Sequence, residues 1–157
     1  MVEVLITADR PLLLHASEPV GHRYPGKGTA TPDRLLVFLT ANPDLRIVLA
    51  HWGGGLPFYE LMPEVAALTR NVAYDTAASS YLYRPDVFRA VLDITGRERI
   101  LWGSDHPVLG MGKFLERTRR LAAIYPDERA WVMSANARRV YCLDDTAQNV
   151  ERLGMPQ

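Results

Sequence analysis

The sequence predicts an α/β domain of parallel βα units, and three observations carry that prediction. Short runs that are apolar on both faces alternate with longer segments of helical periodicity. Each short run gives way to turn-forming residues or the start of a loop, as strands do. Four of the runs also end in histidine or aspartate, at the edge where parallel sheets bind ligands. Alternation of this kind implies one parallel sheet built with right-handed crossovers.

Along the chain, MVEVLITADR (residues 1–10) reads as the end of a helix leading into the first strand. Strands are predicted at 11–16, 46–51, 71–76 and 99–104. The run Ile47-Val48-Leu49-Ala50 suits a strand buried on both faces. The first long helix starts at Thr31-Pro32-Asp33: Thr31 can cap, Pro32 suits the first turn, and Asp33 favours the positive dipole end. Leu35, Leu36, Phe38 and Leu39 form its apolar face, and Asn42-Pro43 ends it. A second helical region spans about 57–69, where Pro63 removes a backbone donor and should kink or split it. A third starts near Pro85-Asp86 and stops at Gly96, with Val87, Phe88, Val91 and Leu92 facing inward. Two further helices are expected at about 113–124 and 127–143, followed by a polar tail at 144–157. No Gly/Ser linker or composition break divides the chain, so one domain over 1–157 is expected.

Composition narrows the class. The 157 residues are 48% hydrophobic and 23% charged, the balance of a soluble globular protein. Eighteen basic and eighteen acidic residues cancel to a formal net charge of zero. Without a basic stripe there is no source of attraction to nucleic acid. The single cysteine, Cys142, excludes an internal disulfide framework, fits a reducing compartment and reads as a small core residue of the last helix. No apolar run reaches membrane-spanning length, and the start lacks the pattern of a secretion signal, so a cytoplasmic protein is expected.

Chemistry gathers at the strand ends. The four strands end in His15, His51, Asp75 and Ser104-Asp105-His106. A lone histidine at a strand end is more often a hydrogen-bonded structural residue; two histidines and two aspartates at equivalent places favour function. Imidazole and carboxylate together suit a divalent metal, which activates water and polarises carbonyls. One histidine can remain off the metal as general acid/base or electrophile. Glu18, His22, Tyr24 and Lys27 lie on the loop after the first strand, where substrate would approach, although loops are polar in any case. Lys27, between Gly26 and Gly28, could reach an acidic substrate. Gly53-Gly54-Gly55 either admits a ligand to the backbone or simply turns into the helix. Trp52 and Trp102 fit core or pocket walls, and Trp131 fits the packing of the last helix. Asp75 reads most simply as an acceptor for loop amides. His106, adjacent to Asp105, should face the opposite side.

The stretches LLLHASEPVGHRYPGKG, IVLAHWGGGLPFYELMPEV, NVAYDTAASSYLY and ILWGSDHP resemble the amidohydrolase-related family, across about residues 11–143. That family includes metal-dependent hydrolases, lactonases and carboxymuconate-semialdehyde-type decarboxylases. The resemblance implies a partial TIM barrel, strands five to eight of a (β/α)8 barrel. It makes His15 a metal ligand, Asp105 a metal ligand or proton carrier, and His51 the histidine that contacts substrate or the metal-activated water. From their places on the loop and beside His51, Glu18, His22, Lys27 and Trp52 are expected to contact substrate. Zinc is the metal implied first, with manganese or cobalt as alternatives.

One departure is clear. The family's pattern begins with a His-x-His pair on the first strand, and the four histidines here (15, 22, 51, 106) include no such pair. A full barrel takes about 250 residues. The chain is therefore expected to be part of a longer enzyme, to pair with a complementing N-terminal half, or to assemble as a homodimer. Three functions follow: a metal-dependent hydrolase of a small carbonyl or carboxylated substrate, a decarboxylase of the same family, or a non-catalytic half-barrel. A flavodoxin-like nucleotide or flavin domain ranks last, for want of a glycine-rich fingerprint.

Overall fold

Residues 1–143 are described by a computed structural model; the tail predicted at 144–157 lies outside the described residues. Four strands, β1 (Leu12–Leu14), β2 (Ile47–Leu49), β3 (Val72–Asp75) and β4 (Ile100–Leu101), pair in parallel in the order β1-β2-β3-β4. Leu13 lies opposite Val48, Val48 opposite Ala73, and Asp75 opposite Leu101. This sequential order is that of a barrel segment. It rules out the flavodoxin-like alternative, whose strand order steps back on itself.

The strands are shorter than the sequence predicts because the chain leaves the ladder before His15, His51 and Asp105. His51 (φ 58°) and Asp105 (φ 69°) take left-handed backbone, which no strand can continue. Ahead of β1 lies α1 (Val2–Thr7), the helix expected there, and between β1 and β2 runs α2 (Pro32–Ala41). Its Thr31 donates its hydroxyl to the Asp33 carboxylate, so the expected side-chain cap to a backbone amide is not made. The helix expected at 57–69 is split. A tight 3₁₀ segment (His51–Leu61) gives way at Met62 to α3 (Pro63–Leu68), with Pro63 in the first turn, where its missing donor costs nothing. A short α4 (Ser79–Leu82), which the sequence did not signal, precedes α5 (Asp86–Thr95); Gly96 at φ 82° ends the latter. After β4 come α6 (Met111–Arg119), α7 (Pro126–Ala130) and α8 (Asn136–Tyr141), the last two joined by a π-turn at Trp131–Ala135.

Alternation along the strands divides the core. Ile47, Leu49, Val72, Tyr74 and Ile100 face the helices and pack with Leu35, Leu39, Val65, Phe88, Val91 and Leu92. Val48, Ala73 and Leu101 face the other way, toward what is the interior of a closed barrel, and meet Ala137, Val140 and Tyr141 of α8. Two anchors hold α8 there. Asn136, fully buried, donates its amide to the carbonyls of Arg97 (2.6 Å) and Ile100 (2.8 Å), and Arg46 donates to the Val140 carbonyl at 2.8 Å. Leu13, in the same inward layer, stays 56% exposed. Cys142 is not the core residue expected: it follows α8 in left-handed backbone and is half-buried. Trp131 is likewise half-buried, under the Arg97 guanidinium. No helix among the described residues is long and apolar enough to cross a membrane.

Candidate active site

The turn after β2 does most of the positioning. From His51 to Gly55 the backbone stays left-handed, with φ of 58, 54, 58, 61 and 92°. Side chains resist this hand, at about 1–2 kcal/mol per residue, and the glycines have a further reason to be there. A Cβ on Gly53 would lie 2.7 Å from the Tyr74 ring, and one on Gly54 only 2.4 Å from the Ser17 carbonyl oxygen. The glycine run therefore admits the β1 loop, rather than a ligand, against the turn.

Hydrogen bonds compensate the strain at His51 and Trp52. The His51 N–H donates to Asp75 Oδ1 at 2.9 Å, and the Trp52 indole N–H donates to Ser79 Oγ at 2.7 Å. The His51 ring nitrogen Nδ1 lies 3.2 Å from the Ala77 carbonyl oxygen. A carbonyl only accepts, so Nδ1 carries a proton, and in the neutral ring Nε2 is the nitrogen with the lone pair. Asp75 Oδ1 also accepts the Ala77 N–H at 2.9 Å, in keeping with its reading as an acceptor for loop amides. Burial nevertheless holds the Asp75 carboxyl above the usual aspartate range.

His15 and His51 meet edge to face, ring centroids 4.9 Å apart. Burial first, and then the neighbouring His51, lower the His15 pKa, which favours the neutral ring that metals bind. The Asp105 charge acts on both His15 and Asp75, so these side chains form one electrostatic cluster.

His15, His51 and Asp105 line a cleft of about 590 Å³ at the C-terminal ends of the strands. Tyr24, Tyr81, Leu82 and Val108 form its walls, and His22 lies on its edge loop. The other residues expected to contact substrate are elsewhere. Trp52 is 0% exposed and packs edge-on against Phe88, because the left-handed turn rotates it into the core. Lys27 donates its ammonium to the carbonyls of Val20 (2.7 Å) and His22 (3.2 Å), closing its own loop. Glu18 sits behind the wall, accepting the Tyr24 hydroxyl at 3.2 Å. His106 is exposed and outside the cleft. Ser17, which bonds to His15, carried no signal in the sequence.

The donors suit a divalent metal in kind but not in number. His15 and Asp105 supply one imidazole and one carboxylate, whereas a catalytic zinc takes about three protein ligands and a water. Among the described residues no three His, Cys, Asp or Glu side chains are grouped to hold an ion.

His15, His51 and Asp105, beyond the C-terminal ends of β1, β2 and β4, stand at the edge where (β/α) barrels carry their active sites. The amidohydrolase family model matches residues 1–143, and the chain belongs to that family. Solved structures agree in fold. A 5-carboxyvanillate decarboxylase from Sphingomonas paucimobilis superposes with a TM-score of 0.72 at 20% identity, over 90% of this chain and 52% of that one. A dihydroxybenzoic acid decarboxylase from Polaromonas, solved with manganese and the inhibitor 2-nitroresorcinol, gives 0.70 at 18% identity, over 90% and 52%. A 4-oxalomesaconate hydratase from Rhodopseudomonas palustris gives 0.65 at 19%, over 98% and 52%. The chain thus spans about half the length of the structures it matches and has the fold of a partial TIM barrel. No curated protein matches it significantly.

Proposed function

We propose that this chain carries one half of the active site of a divalent-metal-dependent hydrolase, acting on a small carbonyl or carboxylated substrate through a metal-activated water. The observation that carries the reading is the cluster of His15, His51 and Asp105 lining a cleft at the strand ends. His15 and Asp105 would hold the ion, zinc first, with manganese or cobalt as alternatives; manganese is bound in the Polaromonas relative. When bound, such an ion supplies Lewis acidity to a carbonyl and lowers the pKa of water. The remaining ligands would come from a complementing N-terminal half or from a second copy.

This chain's residues have separable tasks. The His51 tautomer leaves Nε2 as an acceptor, so the neutral ring takes a proton rather than giving one. Once protonated it keeps Nδ1–H on the Ala77 carbonyl and offers Nε2–H to a developing oxyanion. Polarising the substrate is therefore a task of the protonated ring. The Asp105 carboxylate is the second proton acceptor.

The apolar walls favour a second reading, decarboxylation. Tyr24, Tyr81, Leu82 and Val108 suit the ring of a carboxylated aromatic, the kind of substrate named for the two decarboxylases. There the ring–carboxylate bond breaks, carbon dioxide leaves, and the Nε2 proton of protonated His51 takes its place on the ring carbon.

The test is metal content by plasma mass spectrometry, together with mass in solution and turnover. His51→Ala should lower turnover by roughly 10²–10⁴-fold, the usual worth of a general acid/base, and leave metal content unchanged. Undiminished turnover would remove His51 from the mechanism. Absence of bound zinc or manganese from an assembly that contains the complementing half or a second copy would support the non-catalytic half-barrel instead.

A further inference from the structure

An arginine stands ahead of every strand: Arg10 before β1, Arg46 before β2, Arg70 before β3 and Arg99 before β4. Parallel pairing gathers these places at the edge of the sheet opposite His15, His51 and Asp105. Three of the four have structural work. Arg10 and Arg46 donate to the carbonyls of Tyr141 (3.3 Å) and Val140 (2.8 Å) at the end of α8, and Arg46 also pairs with Asp9 at 2.9 Å. Arg99 donates to Glu60 through both terminal nitrogens at 2.7 Å, and to the carbonyls of Val72 (2.7 Å) and Thr69 (2.8 Å). Arg70 is exposed and meets no acceptor among the described residues.

A cleft of about 180 Å³ lies at this edge, lined by Arg46, Arg70, Asn71, Arg99 and Arg139 and, among the described residues, by no acidic side chain. The charges do not cancel there. Asp9 answers Arg46 and Glu60 answers Arg99, whereas Arg139, on α8, donates to the neutral carbonyl of Glu98. The negative end of α8 does not supply the missing charge, because Arg10 and Arg46 already occupy its last carbonyls. Arg70 and Arg139 are left with their charges uncompensated and with N–H donors to spare. Two like charges on one cleft repel, and a dianion relieves them. The guanidinium fork matches the oxygens of a phosphate, which carries about −1.5 to −2 at neutral pH.

We propose that this cleft binds a phosphate dianion, free or as the end group of a phosphomonoester, between Arg70 and Arg139. The bound group ties α8 to the base of β3. The site is independent of the metal reading: it lies at the other edge of the sheet and shares no residue with the cleft of His15, His51 and Asp105.

Titration calorimetry on the full chain, at an ionic strength fixed with chloride, tests this with inorganic phosphate and glycerol 3-phosphate as separate probes. Binding at a single site is expected, and the tighter probe tells whether the free ion or the ester is the better ligand. Arg70→Gln and Arg139→Gln should each weaken it about tenfold or more, the worth of one charge-assisted hydrogen bond. Arg70 holds nothing in the fold, so its loss should leave urea unfolding unchanged. Arg119→Gln, which removes an equal charge from α6, should leave binding unchanged. Amide exchange over 136–141 should slow on binding, since the ligand bridges α8 to the sheet. No binding of either probe overturns the proposal, as does affinity unchanged in both cleft variants or lowered equally in Arg119→Gln. Binding that appears only after Asp144→Asn with Asp145→Asn also overturns it, because the chain's own carboxylates would then be the occupant.

Discussion

Replacing Gly54 by alanine separates the two reasons for a glycine in the HWGGG turn. Gly54 sits at φ 61°, and a Cβ there would lie 2.4 Å from the Ser17 oxygen, 2.6 Å from its carbonyl carbon and 3.0 Å from its nitrogen. Gly55 provides the control. Its φ is 92°, but its Cβ would meet only the Tyr83 hydroxyl at 3.6 Å and Phe58 at 3.8 Å, ordinary contacts. Gly55→Ala should therefore cost the left-handed backbone term alone, about 1–2 kcal/mol. Gly54→Ala adds an overpacking term of about 1–3 kcal/mol, because backbone cannot swing aside as a flexible side chain can. The total is roughly 2–5 kcal/mol, and each kcal/mol lowers the melting temperature of a chain this long by about 2–4 °C. Urea unfolding of both variants measures the difference. Equal stabilities for the two variants would show that the turn and the β1 loop are not in backbone contact, and would refute the reasoning.

Other outcomes follow from the buried ion pairs. Glu60, whose side chain is 3% exposed, accepts two bonds from Arg99 at 2.7 Å and the Tyr74 hydroxyl. Glu60→Ala leaves the guanidinium uncompensated and should cost about 3–5 kcal/mol, while Glu60→Leu with Arg99→Met should recover most of it; denaturant titration distinguishes the two. Glu128 accepts a two-pronged bond from Arg89 (2.8 and 2.9 Å) and the Tyr125 N–H at 2.9 Å. Those bonds, Arg89 foremost, hold its carboxyl below the ordinary value of 4.5. Its contribution is then complete above pH 4.5 and lost as pH falls through the lower folded-state value. The stability gap between wild type and Glu128→Gln should accordingly close on acidification below 4.5; a gap independent of pH would deny the pair its role.

Much of this protein was legible because its signals are local. Strand and helix periodicity follow from which residues must be buried, so Ile47–Leu49 and the Val87, Phe88, Val91, Leu92 face could be read directly. Pro63 and Gly96 mark boundaries through their own backbone chemistry. His15, His51 and Asp105 stand beyond the C-terminal ends of β1, β2 and β4, and parallel pairing brings such ends to one edge.

What only the tertiary structure decided depends on partners distant in sequence or on the hand of the backbone. Trp52 follows His51 directly, yet a left-handed turn sends one to the core and the other to the cleft, a hand that HWGGG allows but does not require. The tautomer of His51 is set by the carbonyl of Ala77, and the place of Gly54 by the backbone of Ser17. Glu18 and Lys27 looked alike as polar loop residues; one became a buried acceptor and the other a tie for its own loop. Composition and spacing locate the groups that can do chemistry. Which nitrogen, oxygen or proton each one presents is settled by packing, because each buried polar atom must find its partner in the folded chain.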